Sequence, residues 1–297
     1  MIAEAKAVSK LNLYLKVTAR RPDRYHDLET LFLPLGYPAD RITIDFDAAP
    51  GIRLSSSLAG LPENLENLAG RAALAYADAA GISPTWSIHI EKQIPVAAGM
   101  GGGSADAGTV LSLLSAHYGR VAHDDLAALA LTLGADVPYF LSPRAATATG
   151  VGDRIAPIDG ILTVPLLLVV NPHFPVSAKW AYTNLDRSRI GEDSEQRLPR
   201  LIAALRAGDA ESVAQLLHND LAFALYEKFP LLRQLREFMN ANGALNSQIT
   251  GSGPTMFAIC RTQEERTRLA ARLRETFSSE TITVFEEIPT GILEISR

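Results

Sequence analysis

Apolar and polar residues alternate along several stretches of the chain, and this period of two predicts β-strands. The predicted strands lie at 11–17, 42–46, 86–94, 166–170, 256–260 and 281–285. In the first strand Leu11 and Leu13 would face the core, so Lys10 and Asn12 are expected to share the opposite face, off the core.

Other stretches carry apolar residues at helical spacing. Helices are predicted at 65–80, from 104 through the apolar run 110–114, and at 124–133, 198–207, 210–218, 230–241 and 262–277. Ser104 and Asp124 are candidate N-caps, and Gly81, Gly134 and Gly243 are expected to end helices. Strands and helices do not alternate regularly, which predicts an α+β fold rather than a doubly wound parallel sheet.

The length and composition are those of a globular protein with room for two domains. The 297 residues are 47% hydrophobic and 21% charged. Pro157, Asp159 and Gly160 interrupt the pattern and predict a boundary between domains at 1–158 and 159–297.

Charge and hydropathy exclude several classes of protein. A net charge of −5 argues against a nucleic-acid-binding protein and against binding to an anionic membrane. The longest apolar run, 161–170, is too short to span a bilayer, and the N-terminus lacks a signal pattern. A cytoplasmic location is expected. The one cysteine, Cys260, lies in an apolar run, which predicts a buried structural thiol.

Four glycines within five positions lie between a predicted strand and a predicted helix. They are Gly99, Gly101, Gly102 and Gly103, and Ser104 follows directly. Without Cβ atoms the backbone N–H groups can turn inward, and the first helical turn adds free donors and the positive end of the helix dipole. A merely connecting turn is the alternative, but it would not need the ordering entropy of four glycines. The pattern therefore favours a phosphate-binding loop.

Two common phosphate-binding loops do not fit this segment. A P-loop requires Lys and then Ser or Thr after its last glycine, whereas Gly103 is followed by Ser104 and Ala105. A dinucleotide fingerprint counted from Gly99 and Gly101 has Ser104 where its third glycine belongs.

The segment 95–106, PVAAGMGGGSAD, resembles the second motif of the GHMP small-molecule kinases, whose loop wraps the phosphates of ATP. The resemblance implies ATP and Mg²⁺ as cofactors. It also implies a two-domain α+β fold: an N-terminal ribosomal-protein-S5-like domain 2 α/β unit, a C-terminal ferredoxin-like α+β domain, and an active site in the cleft between them. The nucleotide contacts it implies are Asn67, Lys92, Pro95, Gly99, Gly101, Gly102, Gly103 and Ser104.

Asp136 is the candidate general base. It follows a predicted helix end and precedes Pro138, so its carboxylate can face a cleft, but it could equally be the N-cap of the turn that starts at Val137. The segment 133–138 resembles the one that carries the catalytic aspartate of the family, and Lys10 matches the lysine beside it. The resemblance therefore implies that Asp136 takes the acceptor's proton and that Lys10 stabilises charge. Without it, Lys10 would be read as a solvated lysine.

Tyr25 and His26 are the candidate acceptor site, because an aromatic ring beside a hydrogen-bonding ring suits a flat base. Otherwise they are an edge tyrosine and a surface histidine. The segment 23–28 resembles the D-G-Y-H-x-L motif of the family branch whose acceptor carries a cytidine diphosphate group. Arg24 stands where that motif has glycine; if that glycine has a positive φ, either Arg24 is strained or the loop takes another form. The resemblance adds further acceptor contacts at Asn12, Tyr182, Gly251 and Ser252.

Three residues near the phosphate site have ordinary structural alternatives. Asn67 could be a helix-start residue and Lys92 a strand lysine, rather than adenine contacts. Asp106 would repel a phosphate; it could serve the helix dipole or help to hold Mg²⁺, and the sequence does not choose. No His/Cys cluster has metal-ligand spacing, so the metal ligands stay unassigned.

The sequence leaves three functions to compare. The first is a kinase for a small molecule carrying cytidine diphosphate, in the non-mevalonate route to isoprenoid precursors. The second is a kinase of the same family for mevalonate, phosphomevalonate or homoserine. The third is a non-catalytic relative, against which the presence of both Lys10 and Asp136 argues. A monomer or weak homodimer is expected, with no nucleic-acid or membrane partner.

Overall fold

The structure is a computed structural model that describes residues 1–186, 188 and 195–286. It divides into two compact units. Unit 1 comprises Met1–Ser9, Pro38–Val96 and Gly101–Pro143; unit 2 comprises Lys10–Tyr37, Ala97–Met100 and the described residues from Arg144 onward. The predicted domain boundary at 158/159 stays a prediction.

Strands and helices are mixed along the chain, which confirms the α+β class. The strands are β1 Ile2–Arg20, β2 His26–Asp45, β3 Gly51–Ser56, β4 Thr85–Glu91, β5 Ala146–Thr149, β6 Arg154–Pro157, β7 Leu166–Pro172, β8 His218–Asn219, β9 Asn246–Ile249, β10 Met256–Cys260 and β11 Ile282–Glu286. The helices are α1 Leu68–Ala80, α2 Gly102–Tyr118, α3 His123–Leu133, α4 Ala178–Thr183, α5 Arg197–Ala207, α6 Ala210–Leu216, α7 Ala222–Lys228, α8 Pro230–Ala241 and α9 Gln263–Thr276, with a short 3-10 helix at Pro138–Leu141.

In unit 1, β4 lies between β3, to which it is parallel, and the Arg41–Asp45 part of β2, to which it is antiparallel. The alternation predicted for this strand is confirmed: Trp86, Ile88 and Ile90 are fully buried, whereas His89 is exposed. Helices α1 and α2 pack on each other in this unit. The arrangement brings the C-terminal end of β4 to the segment that leads into α2.

In unit 2, an antiparallel sheet in the order β11–β7–β10–β9 forms one layer. β1 pairs in parallel with β8, and β2 pairs with β5. Cys260 is 1% exposed within the core against this sheet, and burial raises the pKa of its thiol to about 11. The prediction of a buried structural cysteine is confirmed.

The prediction that Lys10 and Asn12 point off the core is wrong. Both are buried, at 5% and 2% exposure, and every residue of β1 from Ser9 to Val17 is buried. The polar face of this strand is covered as well as its apolar face. Alternation reports the polarity of a face, not whether another element packs on it.

Several predicted helix ends were wrong by a few residues. Gly101, at φ 75°, is the N-cap of α2, so Ser104 lies inside the first turn. Ala122 is the N-cap of α3, with Asp124 in the first turn, where its charge favours the helix dipole. Asn242 rather than Gly243 is the C-cap of α8. The predicted ends at Gly81 and Gly134 are confirmed.

Among the described residues, no helix is both long and apolar enough to cross a bilayer.

Candidate functional site

The glycine loop, residues 94–104, contains one glycine that the packing of unit 2 requires. Gly99 has φ 77°, and an added Cβ would lie 2.5 Å from the carbonyl oxygen of Thr250 and 2.9 Å from the nitrogen of Gly253. Thr255 donates its backbone N–H to the carbonyl oxygen of Ala98 at 3.3 Å. A side chain at Gly99 would push this loop away from residues 250–254, which we call the glycine turn.

The end of the glycine loop, in unit 1, presents free backbone donors. The first intrahelical bond of α2 runs from Ala105 N–H to the Gly101 carbonyl oxygen, at 2.8 Å. The N–H groups of Gly102, Gly103 and Ser104, here called the amide cradle, precede that bond and have no partner within the helix. Gly103 is exposed, and an added Cβ there would meet nothing within 4 Å. A triphosphate fits such an open helix N-terminus.

A buried lysine and two buried carboxylates lie directly under the amide cradle. The side chains of Asp40, Lys92 and Asp106, here called the charge cluster, are 0%, 4% and 3% exposed. Lys92 Nζ donates to Asp106 Oδ2 at 2.7 Å and also pairs with Asp40 Oδ2. Burial raises the pKa of Asp106 to about 8; Lys92 opposes this shift and Asp40 adds to it.

The same geometry bears on the two roles left open for Asp106. Its carboxylate is enclosed and held by Lys92, so it is not offered to a cation at the cradle. Within the described residues, no group of three or more His, Cys, Asp or Glu side chains could hold a metal ion. A Mg²⁺ ion that arrived on a triphosphate would not need such a cage, because Mg²⁺ is usually bound through substrate phosphates and few protein ligands.

In unit 2, Lys10 and Asn12 connect β1 to both glycine segments. The backbone N–H of Lys10 donates to the Met100 carbonyl oxygen at 3.0 Å, and its Nζ donates to Asn12 Oδ1 at 2.9 Å. Nζ also lies 4.5 Å from the ring centroid of Phe32. Asn12 donates its backbone N–H to Thr250 Oγ1 at 2.9 Å. β1, the glycine loop and the glycine turn therefore meet here.

Asp136, in unit 1, lies in the turn between α3 and the 3-10 helix. That turn is closed by a bond from Val137 N–H to the Gly134 carbonyl oxygen at 3.1 Å. The N-cap of the 3-10 helix is Val137, and no side-chain hydrogen bond caps it. Asp136 is therefore not the N-cap that the sequence allowed. Its charge, after the larger effect of burial, contributes to raising the pKa of Tyr139.

The Tyr-His loop, residues 23–26, has an exposed and a stacked ring. Tyr25 is 66% exposed. The ring of His26 stacks on Tyr182, with centroids 5.5 Å apart and planes at 21°. Arg24 has φ 72°, the left-handed conformation in which a non-glycine residue is strained. The structure thus brings together two of the three rings proposed for the acceptor.

The glycine turn is held by a side chain that sequence reasoning missed. Asn219, at 6% exposure, donates Nδ2 to the carbonyl oxygens of Ile249 and Gly251, each at 2.9 Å. A Cβ on Gly251 would lie 3.0 Å from the Gly99 carbonyl oxygen. Ser252, next in the turn, is partly exposed. Gly251 therefore packs against the glycine loop, whereas Ser252 is accessible.

Asn67 caps a helix in the structure. Its side chain accepts from the Ala69 N–H at 3.0 Å and donates to the Pro62 carbonyl oxygen at 3.0 Å. Pro95, at the start of the glycine loop, is partly exposed. Whether Asn67 and Pro95 also contact a nucleotide stays a prediction.

Sequence reasoning also missed Asp40 and Thr30. Asp40 precedes the alternating residues of β2 and carries no motif; its role appears only because β2 and β4 are neighbours. Thr30 accepts from Asn12 Nδ2 at 2.8 Å and belongs to an ordinary strand pattern. A buried polar residue within an apolar strand is the only signal that could have found Thr30.

Known protein families and solved structures match most of the chain. The model for the GHMP kinases N terminal domain matches residues 67–143, and that for GHMP kinases C terminal matches 201–279. A 4-diphosphocytidyl-2-C-methyl-D-erythritol kinase of Geobacter sulfurreducens is 37% identical over 91% of this chain and 94% of its own length. The protein of that name from Syntrophotalea carbinolica is 39% identical over 85% of this chain and 88% of its own.

Solved structures agree with these relatives. A crystal structure of 4-(cytidine 5'-diphospho)-2C-methyl-D-erythritol kinase matches with a TM-score of 0.80 and 35% identity, covering 98% of both chains. A homoserine kinase from Cytophaga hutchinsonii matches with a TM-score of 0.73, 18% identity and coverage of 97% and 95%. At 18% identity, the similarity to the homoserine kinase shows a shared fold and nothing more.

Proposed function

Because the chain belongs to the GHMP kinases, we propose that it transfers a phosphoryl group from ATP to the 2-hydroxyl of 4-diphosphocytidyl-2-C-methyl-D-erythritol. This acceptor is the one named for relatives at 35–39% identity over most of the chain. The reaction belongs to the non-mevalonate route to isoprenoid precursors. The names of these relatives favour this acceptor over mevalonate, phosphomevalonate and homoserine, the alternatives within the family.

The amide cradle is the observation that carries the phosphate-donor half of this proposal. The N–H groups of Gly102, Gly103 and Ser104 are free within α2, and the space beside Gly103 is open. Oriented backbone donors of this kind stabilise the charge that develops on a transferred phosphoryl group. Gly99 and Gly101 give the loop the left-handed turns that aim these donors.

We assign the chemistry at the acceptor hydroxyl to Asp136 and Lys10. Asp136 lies in a partly exposed turn and takes the proton of the hydroxyl. Lys10 is bonded through its backbone to Met100 in the glycine loop, and its ammonium group stabilises charge on the phosphoryl group. The pairing of these two residues is supported by the motif resemblance.

The acceptor's cytosine is assigned to Tyr25, His26 and Tyr182. The stack of His26 on Tyr182 supports this, because it holds two of these aromatic rings together in a fixed orientation. Further along, Asn12, Gly251 and Ser252 are proposed to hold the erythritol and diphosphate part.

Asn67, Lys92 and Pro95 stay predictions as nucleotide contacts, since Asn67 and Lys92 each have other partners. Mg²⁺ is proposed to enter with the triphosphate and to neutralise its charge during transfer. We also propose a cytoplasmic monomer or weak homodimer that acts without a nucleic-acid or membrane partner.

The direct test is ADP release with each of four acceptors: the cytidine diphosphate compound, mevalonate, phosphomevalonate and homoserine. Turnover with the first alone is expected. Turnover with another acceptor would transfer the assignment to that member of the family, and ATP binding with no turnover would make the chain a non-catalytic relative.

A second test addresses the acceptor end. Tyr25→Ala is expected to raise the acceptor KM and to leave the KM for ATP unchanged, because Tyr25 is assigned to the base alone. An unchanged acceptor KM would remove Tyr25 from the site. A calorimetric comparison of cytidine diphosphate with other nucleoside diphosphates is expected to show preference for cytosine.

A further inference from the structure

The charge cluster contains one cation and two acids, all shielded from water. Lys92 bridges Asp106 and Asp40, and none of the three side chains is more than 4% exposed. Removing charged groups from water costs free energy of desolvation. Proteins in which a buried ion pair is replaced by apolar residues are often as stable as the original. Stability alone therefore does not account for the cluster.

The cluster holds both ends of the glycine loop. On the incoming side, Asp40 Oδ1 accepts from the backbone N–H groups of Gln93 and Ile94, at 2.6 and 2.8 Å. On the outgoing side, Asp106 lies within α2, just after the residues of the amide cradle. Lys92 connects the two acids. The chain enters and leaves the loop through residues held by one ammonium group.

The ammonium group also lies close to the cradle's own backbone. An added Cβ on Gly102 would be 3.2 Å from Lys92 Nζ. Moving Lys92 would therefore change the support under the first residue of α2, whose following N–H groups form the cradle.

We propose that Lys92 is a positioning residue that sets the shape of the amide cradle through Asp40 and Asp106, acting under the phosphates rather than on the adenine base. This inference rests on the proposed function, because it takes the cradle as the triphosphate site.

The net charge of the charge cluster depends on whether Asp106 carries a proton. With one proton on Asp106 the cluster is neutral, whereas without it a net negative charge lies under the phosphates. Asp106 Oδ1 has no hydrogen-bond partner, and burial raises its pKa to about 8. The charged groups that shift it are Lys92 and Asp40. On the neighbouring strands, Arg41 pairs with Glu91 and Glu4 at exposed positions.

Inorganic tripolyphosphate separates the two possible roles of Lys92, because it has the phosphates of ATP without the base. We would measure its Ki against ATP, and the KM for ATP, for the full chain and for Lys92→Met. A positioning role predicts that both constants rise by the same factor, about 10- to 100-fold, as for small misplacements in an active site. A rise in the KM for ATP with an unchanged tripolyphosphate Ki would overturn the proposal in favour of an adenine contact.

Arg261→Met is the matched control, since it removes a cation from the exposed pair with Glu211. It is expected to leave both constants unchanged. If the wild-type chain itself binds neither ATP nor tripolyphosphate, the proposed function fails. If it binds both and Lys92→Met matches it in both, only the present inference fails.

Asp106→Asn gives a readout that does not depend on Lys92→Met folding. The substitution keeps the size of the side chain and makes it permanently neutral. Below pH 8 its affinity for ATP is expected to match that of wild type, and above pH 8 wild type is expected to weaken relative to it. The ratio of the ATP Kd of wild type to that of Asp106→Asn isolates the titration of Asp106. The phosphates of ATP titrate identically in the two measurements and cancel in the ratio. A ratio that stays constant from pH 6.5 to 9.5 contradicts a contribution of the Asp106 charge to phosphate binding.

Discussion

The glycine loop and the Tyr-His loop both contain a strained residue, but their surroundings differ. Ala97 in the first has φ 52° and Arg24 in the second has φ 72°. Backbone hydrogen bonds tie the glycine loop to its surroundings at the strained residue and at the next one, from Val176 N–H to the Ala97 carbonyl oxygen and from Thr255 N–H to the Ala98 carbonyl oxygen. In the Tyr-His loop, residues 22–25 are exposed and the turn is closed by its own backbone, from Arg24 N–H to the Arg21 carbonyl oxygen.

Under the proposed function, the two loops have different tasks. The glycine loop binds phosphates, a task common to the family, whereas the Tyr-His loop recognises one particular base. Phosphate binding needs backbone donors at fixed positions, so the loop that supplies them is packed and supported by buried charges. Reading a base needs side chains that differ between relatives, and exposed loops tolerate such differences. The contrast predicts that changes in the glycine loop affect stability and catalysis, whereas changes in the Tyr-His loop affect acceptor affinity.

The largest effect is expected at Asp136, the proposed general base. Asp136→Ala should lower kcat by about 10²- to 10⁴-fold, as for loss of a general base, while ATP binding is nearly intact. Single-turnover kinetics and ATP titration measure the two quantities. Asp125→Ala, at an exposed position of α3, is the matched control. Wild-type turnover of Asp136→Ala would falsify the assignment of the base.

The next effect tests how tightly the glycine loop is packed. Gly99→Ala should destabilise the protein by about 1–2 kcal/mol from its positive φ alone, and by more because its Cβ overlaps the Thr250 carbonyl oxygen. Gly103→Ala, in open space on a helix, should leave the free energy of unfolding unchanged or slightly higher but raise the KM for ATP. Denaturant titration of both variants makes the comparison. Equal stability losses would mean that Gly99 is not a packing position.

A smaller effect is expected from the ring stack of the acceptor site. Tyr182→Ala should weaken acceptor binding by about 0.5–1.5 kcal/mol, the usual value of an aromatic pair, and leave the KM for ATP unchanged. Tyr182→Phe keeps the ring and should keep the acceptor KM. If both variants raise the acceptor KM equally, the tyrosine hydroxyl, not the stack, is what matters.

The smallest effect concerns the strain at Arg24. Arg24→Gly should increase the free energy of unfolding by up to about 1 kcal/mol, because glycine adopts φ 72° without the Cβ penalty but loses more chain entropy on folding. Urea midpoints measure this change. Arg20→Gly, at the end of β1, should instead destabilise by about 0.5–1 kcal/mol. A loss of stability in Arg24→Gly would show that the arginine side chain does more than occupy the turn.

Local patterns in the sequence were enough for much of the fold and part of the site. The order of strand, glycine loop and helix, the helix ends at Gly81 and Gly134, and the buried Cys260 follow from spacing and turn chemistry. These features depend on neighbours a few residues away, where propensity and steric limits act directly.

Features that join distant segments were decided only by the tertiary structure. The burial of Lys10 and Asn12, the pairing of Lys92 with Asp40 and Asp106, and the hold of Asn219 on the glycine turn could not be read from the chain. The physical reason is that a polar residue in a strand has the same local pattern whether water or another element covers it. Only the packing of β2 beside β4, and of the glycine turn against Gly99, determines which of these polar groups become buried partners.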